Sequence, residues 1–204
     1  MSKKAYSEQE REKVGQKLLA VGLGMLSQRG LKDTTLQDIL KAVNISKTFF
    51  YGNFYSSLAE LVIGVIDYQQ ELLLQMAQRE AKRPHLAERI GGVLYQVTYS
   101  REHDFFVMTQ EEELWVYKNL SPEGYEQFQS GQLLFYGQLL SLWNIPKEKC
   151  TPKELGNLVL SIVLIHNSAA RSLPFFFAEE LERTARAQIK ALTDYLVSLS
   201  DTGE

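Results

Sequence analysis

Residues 30–61 read GLKDTTLQDILKAVNISKTFFYGNFYSSLAEL, and this stretch decides the fold of the first part of the chain. Thr35 and Asp38 form a capping pair at the start of an apolar stripe, which predicts a short helix over residues 35–43. Asn44 tolerates the left-handed conformation of a tight turn, and Ser46 can cap a further helix over residues 47–54. The stretch therefore predicts two short helices joined by a tight turn.

The spacing of the apolar residues also predicts which side of these helices is buried. The expected inward anchors are Ile39, Ile45, Phe50 and Phe54. The residues expected on the outer side are Lys47, Thr48, Tyr51 and Gly52. A tight turn lets the first helix brace the second at a fixed angle, and the DNA major groove is wide enough to admit the second helix. The stretch has the shape of a helix-turn-helix.

Outside this stretch, nearly every segment has helical spacing and none has sustained strand alternation. A capping box at Ser7 and Glu10 begins the first helix, and Gly30 ends it. Ser57 with Glu60 begins a long fourth helix. Further helices are expected near residues 85–101, 107–119, 123–143, 152–172 and 176–199. The chain is therefore predicted to be all-α.

Two domains are predicted, with Pro84 as the boundary because a proline disfavours helix at the preceding residue. The first is a three-helix head that contains the helix-turn-helix, over residues 1–62, with the fourth helix connecting as far as about residue 83. The second is a helical bundle over residues 84–204. Gly22 and Gly24 in the first helix follow no strand, so we expect them to pack closely against a neighbouring helix.

Charge is distributed unevenly between these two parts. The 204-residue chain has a net charge of −3, but residues 1–60 hold nine Lys/Arg against six Asp/Glu, a net charge of +3. A basic head on an acidic body is the asymmetry expected when only one end approaches phosphate. The lone Cys150 excludes an internal disulfide, and the longest apolar run, 158–165, is far below the ~20 residues that span a bilayer. We expect a soluble cytoplasmic protein with no membrane partner.

The segment around residues 10–62 resembles the DNA-binding region of the TetR family of transcriptional repressors. The residues in register are Thr34, Thr35, Ile39, Ile45, Ser46, Lys47, Tyr51, Phe54 and Leu61. Departures are Asn44 for the usual turn glycine, Val43 for alanine, Ser57 for a phosphate-contacting lysine, and unusual residues at Phe49 and Gly52. Losing one phosphate contact would weaken binding without changing which bases are read. Lys3, Lys4 and Arg11 of the N-terminal arm could compensate.

The resemblance implies double-stranded DNA with a palindromic operator as a partner. It implies that Thr35 and Tyr51 contact phosphates and that Gln37, Lys47 and Thr48 read base edges, since Gln pairs with adenine and Lys with guanine. Phe49 touches a thymine methyl or belongs to the core. The remaining members of the predicted DNA-binding set are Ser46, Gly52 and Asn53. Solvated helix surface is the alternative interpretation of Gln37 and Lys47.

The resemblance also implies that the bundle forms a homodimer through its last two helices and binds a small-molecule inducer. The predicted interface residues are Leu155, Leu158, Ile162, Ile189 and Leu196. The predicted ligand contacts are Tyr95, Tyr99, Phe106, Trp115, Phe128, Phe135 and His166, chosen from an aromatic-rich stretch that also holds Phe105, Tyr117, Tyr136 and Trp143. These residues indicate an apolar or aromatic ligand, or a well-filled core. His166 orients the ligand, pairs across the dimer interface or is hydrogen-bonded in the core.

The three consecutive carboxylates Glu111, Glu112 and Glu113 have two interpretations. They could attract a cationic ligand, or they could simply favour a helix N-terminus. Among the histidines, His85, His103 and His166 have no metal-ligand spacing, and no nucleophile elbow or phosphate loop is present. We therefore expect neither an enzyme nor a bound cofactor or metal.

Two modes of action are compatible with the sequence. In the first, the protein is a regulator, expected to be a repressor, and ligand in the bundle tilts the fourth helix, moves the two heads apart and costs operator affinity. In the second, a TetR-like DNA- or protein-binding module acts through a protein partner with no small-molecule inducer. A sizeable cavity in the bundle favours the first mode, and a tightly filled bundle favours the second.

Overall fold

The computed structural model describes residues 6–172 and 177–201, apart from the side chains of residues 101 and 168–172. All regular structure in these ranges is helical, which confirms the predicted all-α class. The α-helices are α1 (Glu8–Arg29), α2 (Leu36–Val43), α3 (Lys47–Asn53), α4 (Leu58–Glu80), α5 (Leu86–Thr98), α6 (Gln110–Asn119), α7 (Pro122–Leu142), α8 (Pro152–Ser172) and α9 (Leu181–Leu199). Short 3₁₀ helices span Ser100–His103 and Ala178–Glu180. Lys3, Lys4 and the helix break predicted at residues 173–174 lie outside the described residues.

The first helices begin and end at the predicted signals. A reciprocal capping box joins Ser7 and Glu10 at the start of α1, and Gly30 ends that helix with a φ of 77°. A second capping box joins Thr35 and Asp38 at the start of α2. The predictions for both helices are confirmed.

The start of α4 differs in one detail from the predicted capping box. The Ser57 hydroxyl accepts a hydrogen bond from the Glu60 backbone N–H at 3.1 Å. The Glu60 carboxylate does not return to Ser57; it accepts hydrogen bonds from the backbone N–H and the hydroxyl of Ser56. The cap is therefore shared between two consecutive serines.

The head is built around the crossing of α1 and α4. Gly22 makes this close packing possible, because a Cβ atom there would lie 2.8 Å from Cγ2 of Val65. Gly24 has no such neighbour within 4 Å, so the predicted close packing holds for Gly22 alone. The fully buried side chains of this core are Leu18, Ile39, Phe50, Leu61, Val62 and Val65.

The bundle has its own core between α5, α7, α8, α9 and the second half of α4. Its largest fully buried side chains are Trp143, Leu86, Ile90, Leu94, Leu140, Leu155 and Leu196. Helix α5 packs along α9, and α7 packs along both α8 and α4. Because α4 contributes Val62 to the head core and Leu73 to the bundle core, one continuous helix connects the two cores.

The head core also includes residues from beyond the boundary predicted at Pro84. Phe106 and Val116 are buried in the head core, and Met108 and Leu120 pack against it. Helix α6 and the segment before it therefore lie against the head although they follow α5 in sequence. A domain boundary at Pro84 therefore does not separate the residues of the head core from those of the bundle core.

Within the described ranges, no single helix is long and apolar enough to cross a bilayer. Helices α3 and α4 meet that test only when they are taken together across a bend of 64°.

Candidate DNA-binding surface and ligand cavity

Helix α3 has one buried side and one exposed side. Phe50 is fully buried, and Lys47, Thr48 and Asn53 are exposed. Tyr51 is 51% exposed despite its size. Tyr51 lies four residues after Lys47, so both side chains stand on the same side of α3. The exposed side is free to enter a groove.

The turn before α3 fixes its angle to α2. Asn44 has the left-handed conformation, with φ 64° and ψ 48°, as its place in the turn predicts. The backbone N–H of Ile45 donates to the carbonyl of Leu40 at 3.0 Å, which closes the end of α2. The Ser46 hydroxyl then accepts from the Phe49 backbone N–H at 3.1 Å and caps α3. Ser46 thus has a structural role at the predicted site.

Thr35 lies at the start of α2, and its donors are already engaged. Its hydroxyl donates to the Asp38 carboxylate at 2.6 Å, and its backbone N–H donates to the same carboxylate at 3.1 Å. Hydrogen bonds from the Thr35 side chain, and then from its backbone, lower the pKa of Asp38. Gln37 is exposed beside it. The hydroxyl of Thr35 would have to leave Asp38 before it could donate to a phosphate.

Phe49 is partly buried and packs against two other aromatic rings. Its ring lies 4.4 Å from the ring of Tyr6 and 5.6 Å from that of Phe54, measured between ring centres. Tyr6 precedes the cap of α1 and was not expected to have a role. The sequence around Tyr6 did not predict this contact, because Tyr6 and Phe49 are far apart in the chain.

The two departures at Ser57 and Gly52 have different structural consequences. Ser57 caps α4, so the position that the family uses for a lysine has a structural role in this chain. Gly52 is exposed, and a Cβ atom there would meet nothing within 4 Å. The exposed side of α3 therefore has an open space next to Tyr51.

The residues predicted for the dimer interface are mostly buried within the single chain. Leu155 and Leu196 are fully buried, Ile162 is 5% exposed and Ile189 is 8% exposed, all in the bundle core. Leu158 is half-buried at the edge of that core. Apolar periodicity cannot separate a core side from a partner side when both lie on one helix. A dimer formed by α8 and α9 would use their other, exposed sides.

A cavity of about 530 Å³ lies between the head and the bundle. Its walls come from α4, α6, α7, α8 and residues 105–108, and exposed Leu114, Tyr117 and Leu160 stand at its rim. Ligand pockets in proteins commonly have volumes of about 300–1,000 Å³. The cavity is large enough for a drug-sized molecule.

Three of the seven predicted ligand residues line this cavity and four do not. Phe106, Phe128 and Phe135 line it. Tyr95 and Tyr99 stack on each other at 4.3 Å, and His166 packs against Tyr99 at 4.6 Å, away from the cavity. Trp115 is 40% exposed on α6.

Tyr99 belongs to a polar contact with α9. Its hydroxyl donates to the Glu182 carboxylate at 2.7 Å, and Arg186 pairs with the same carboxylate at 2.5 Å. Burial, followed by the hydrogen bond to Glu182, raises the pKa of Tyr99 far above its usual value. The aromatic group at the end of α5 therefore connects α5 to α9.

The wall formed by α4 was not expected from the sequence, because all the predicted ligand contacts lie between Tyr95 and His166. The residues of α4 that line the cavity are Ile63, Ile66, Gln69, Gln70 and Leu73. One signal was present in the sequence: Gln69 lies at helical spacing between the apolar residues Val65 and Leu73. Gln69 is only 8% exposed, and a buried polar residue requires a partner.

Two hydrogen-bonded contacts join the cavity wall to other elements. The Gln69 amide donates to the Phe106 carbonyl at 3.1 Å and accepts from the Phe106 backbone N–H at 2.6 Å. The Glu112 carboxylate accepts from the backbone N–H of Leu31, just after α1, at 2.5 Å. The first contact fixes the segment before α6, and the second fixes α6 to the head.

Among the described residues, no group of three or more His, Cys, Asp or Glu side chains is placed to hold a metal ion. Cys150 is buried, and burial raises the pKa of its thiol, which disfavours the reactive thiolate.

No family model matches the chain, and no curated protein matches it. Its structure is similar to a crystal structure of a protein from Syntrophomonas wolfei str. Goettingen that is assigned to the TetR-family transcriptional regulators. The two share 16% sequence identity, and the similarity covers 90% of this chain and 96% of that chain with a TM-score of 0.48.

Proposed function

We propose that this protein is a sequence-specific, DNA-binding transcriptional regulator, acting as a homodimeric repressor that a small, largely apolar ligand releases from a palindromic operator. The exposed side of α3 carries the proposal. A short helix has a fully buried Phe50, a 51% exposed Tyr51 and an exposed Lys47, and it follows a turn that braces it against α2. This is the arrangement in which a helix enters the major groove.

The roles of individual residues follow from their exposure and hydrogen bonds. Lys47, Thr48 and Gln37 are exposed and can reach base edges, and Asn53 is less available because its amide donates to the Phe49 carbonyl at 2.8 Å. The Tyr51 hydroxyl can donate to a phosphate. At the start of α2, the backbone N–H groups of the first helical turn are better placed for phosphate than the Thr35 hydroxyl, which Asp38 engages.

The cavity supports the mode of action that involves a small molecule. A volume of about 530 Å³ with a mainly apolar wall favours a ligand-responsive regulator over a module that acts only through a protein partner. The cavity shares α4 with the head, so that one helix contacts both the ligand and the DNA-binding region. A ligand changes operator affinity only as far as it binds the two conformations differently.

The contacts of Gln69 and Glu112 provide a physical route for that difference. Both elements that they hold, the segment containing Phe106 and helix α6, line the cavity. A ligand that pushes α6 outward would lengthen the contact between Glu112 and Leu31 and release the end of α1. The position of the head would then depend on whether the cavity is filled.

Selection of bound duplexes from a random pool, followed by sequencing, tests DNA binding directly. We expect enrichment of a palindrome, and we expect Lys47→Ala to weaken binding by about ten-fold or more, in line with ~1–3 kcal/mol for a base contact. Lys147→Ala is a charge-matched control, because Lys147 is exposed in the turn between α7 and α8 and lies on neither α3 nor the proposed dimer helices. Binding without sequence preference, or equal losses in both variants, would contradict the proposal.

A second experiment tests the route between cavity and head. Glu112→Ala removes the contact with Leu31 and should reduce the effect of any releasing ligand on operator affinity. Glu111→Ala, an exposed neighbour on the same helix turn, should leave that effect unchanged. An undiminished effect in Glu112→Ala would show that the ligand acts by another route.

A further inference from the structure

Among the described residues that line the cavity, only one side chain is charged. None of the described residues that line it is Lys, Arg or His, and its one acidic residue is Glu113. The rest of the wall is apolar, aromatic, amide or hydroxyl in character. A cavity with a carboxylate and no cationic group among its described lining residues disfavours an anionic ligand, because no positive charge there offsets the solvation that the anion loses on entry.

Glu113 differs from the two carboxylates that precede it. Glu111 is exposed. Glu112 is occupied by the Thr109 and Leu31 backbone N–H groups, at 2.7 Å and 2.5 Å. Glu113 is half-buried in the cavity wall, and its carboxylate has no hydrogen bond or ion pair with the described part of the chain. The preference of acidic residues for a helix N-terminus applies equally to all three glutamates. It does not explain why only Glu113 lines the cavity.

Burial raises the pKa of the Glu113 carboxyl, because the charged form is poorly solvated there. A positive charge placed beside it would reverse that cost. Aromatic rings also stand in the wall, among them Phe106, Phe128 and Phe135. Their faces attract a cation within about 6 Å of the ring centre.

We propose that the ligand of this cavity is a lipophilic organic cation, with its positive charge held by Glu113 and its apolar body packed against the aromatic residues of α7 and the segment before α6. The inference rests on the proposed function in that it names the chemical class of the releasing ligand. Tyr136 lines the same cavity and its hydroxyl has no partner among the described residues, so it is available to orient a polar group of the ligand.

Paired probes of opposite charge and similar shape test the inference. Tetraphenylphosphonium and tetraphenylborate form a bulky pair, and decyltrimethylammonium and decanoate, below their micelle concentrations, form a slender pair. Isothermal titration calorimetry on the full chain measures the dissociation constant of each. We expect at least one cation to bind at least ten-fold more tightly than its anionic counterpart. Failure of both cations to bind, or equal affinity within both pairs, overturns the inference.

Variants separate contact with Glu113 from general attraction to an acidic protein. Glu113→Gln should weaken binding of the cation by about ten-fold in dissociation constant, which corresponds to about 1.4 kcal/mol. Glu111→Gln removes the same charge at an exposed position two residues earlier that does not line the cavity. It should change the affinity less than two-fold. Equal losses in the two variants would show that the cation is attracted over a distance and not held by Glu113. Circular dichroism melting of both variants verifies that each is folded.

Failure of this inference can be told apart from failure of the proposed function. Operator release by a neutral or anionic compound, with no binding of either cation, would overturn the cationic ligand and leave the ligand-released regulator standing. Absence of any sequence-specific DNA binding would overturn the proposed function, while the affinities for the paired probes would still be measured on the same protein.

Discussion

The helices that start in the head and the two central helices of the bundle, α5 and α9, begin in different ways. Every helix that starts in the head has a side-chain cap: Ser7, Thr35, Ser46 and Ser57 each accept a backbone N–H three residues ahead. Thr109, Ser121 and Thr151 cap α6, α7 and α8 in the same way. Of the described α-helices, only the two that pack together at the centre of the bundle, α5 and α9, begin without a side-chain cap, at His85 and Glu180. These two helices pack along each other through buried leucine and isoleucine side chains. Local hydrogen bonds define the head, whereas contacts distant in sequence define the centre of the bundle.

The largest expected effect tests whether Leu155 belongs to the chain's own core or to an interface between chains. Leu155→Ala should lower the free energy of unfolding by about 2–5 kcal/mol, because its side chain is fully buried within one chain. Leu160→Ala, at a 38% exposed position on the same helix, should cost much less. Urea unfolding measures both. A small effect of Leu155→Ala on unfolding, together with dissociation of a dimer, would restore the interface interpretation.

A pair of glycines two residues apart in α1 tests the packing of the head. Gly22→Ala places a methyl group 2.8 Å from Val65 and should cost about 1–3 kcal/mol of stability. Gly24→Ala meets nothing within 4 Å and should stabilise the helix by up to about 1 kcal/mol. Thermal melts of the two variants should therefore shift in opposite directions. Equal shifts would mean that α1 and α4 do not cross as closely as described.

A third substitution tests the contrast between capped and uncapped helices. Thr35→Ala removes the cap of α2 and should cost about 1 kcal/mol. The matching change in the bundle, His85→Ala, removes a residue that makes no side-chain cap bond to α5, and should have little effect. Chemical denaturation resolves the difference. If His85→Ala were as costly as Thr35→Ala, the cap would not explain how the start of α2 differs from the start of α5.

The smallest expected effect concerns the pH dependence of the bundle. Burial lowers the pKa of His166 below 6.5, against the opposing charges of Glu182 and Glu102, and its Nδ1 is buried with no partner among the described residues. The unfolded chain therefore binds more protons between the two pKa values, so His166 destabilises the fold as the pH falls through 6.5 toward its folded pKa. Between about pH 7.5 and about pH 5.5, the melting temperature of the wild type should fall more than that of His166→Gln, by on the order of 1 °C. A larger fall in the variant would contradict this sign.

The sequence predicted the head well because its signals are local. Caps at Ser7, Thr35, Ser46 and Ser57, the turn at Asn44 and the stop at Gly30 each act within a few residues, and the structure has all of them. The exposed side of α3 followed from the same short-range periodicity, since burial of Phe50 turns the next residue, Tyr51, about 100° away around the helix.

The cavity could not be predicted in the same way. Aromatic composition indicated a pocket and placed Phe106, Phe128 and Phe135 correctly in its wall, but it also selected Tyr95 and Tyr99, which pack toward α9. The wall from α4 and the contact between Gln69 and Phe106 join residues that are far apart in the chain. Which of several equivalent aromatic residues faces an empty volume depends on how the helices cross.

By itself, the sequence determined that the chain is helical, where its first helices begin and end, and which side of α3 is left for a partner. Those properties depend on hydrogen bonds and apolar spacing within a single turn or two of helix. Only the tertiary structure decided that Leu155 and Leu196 are buried in the chain's own core, that α6 lies against the head, and that Glu113 alone among three carboxylates faces the cavity. The reason is physical: burial and charge pairing are set by the relative positions of distant helices, which no local pattern encodes.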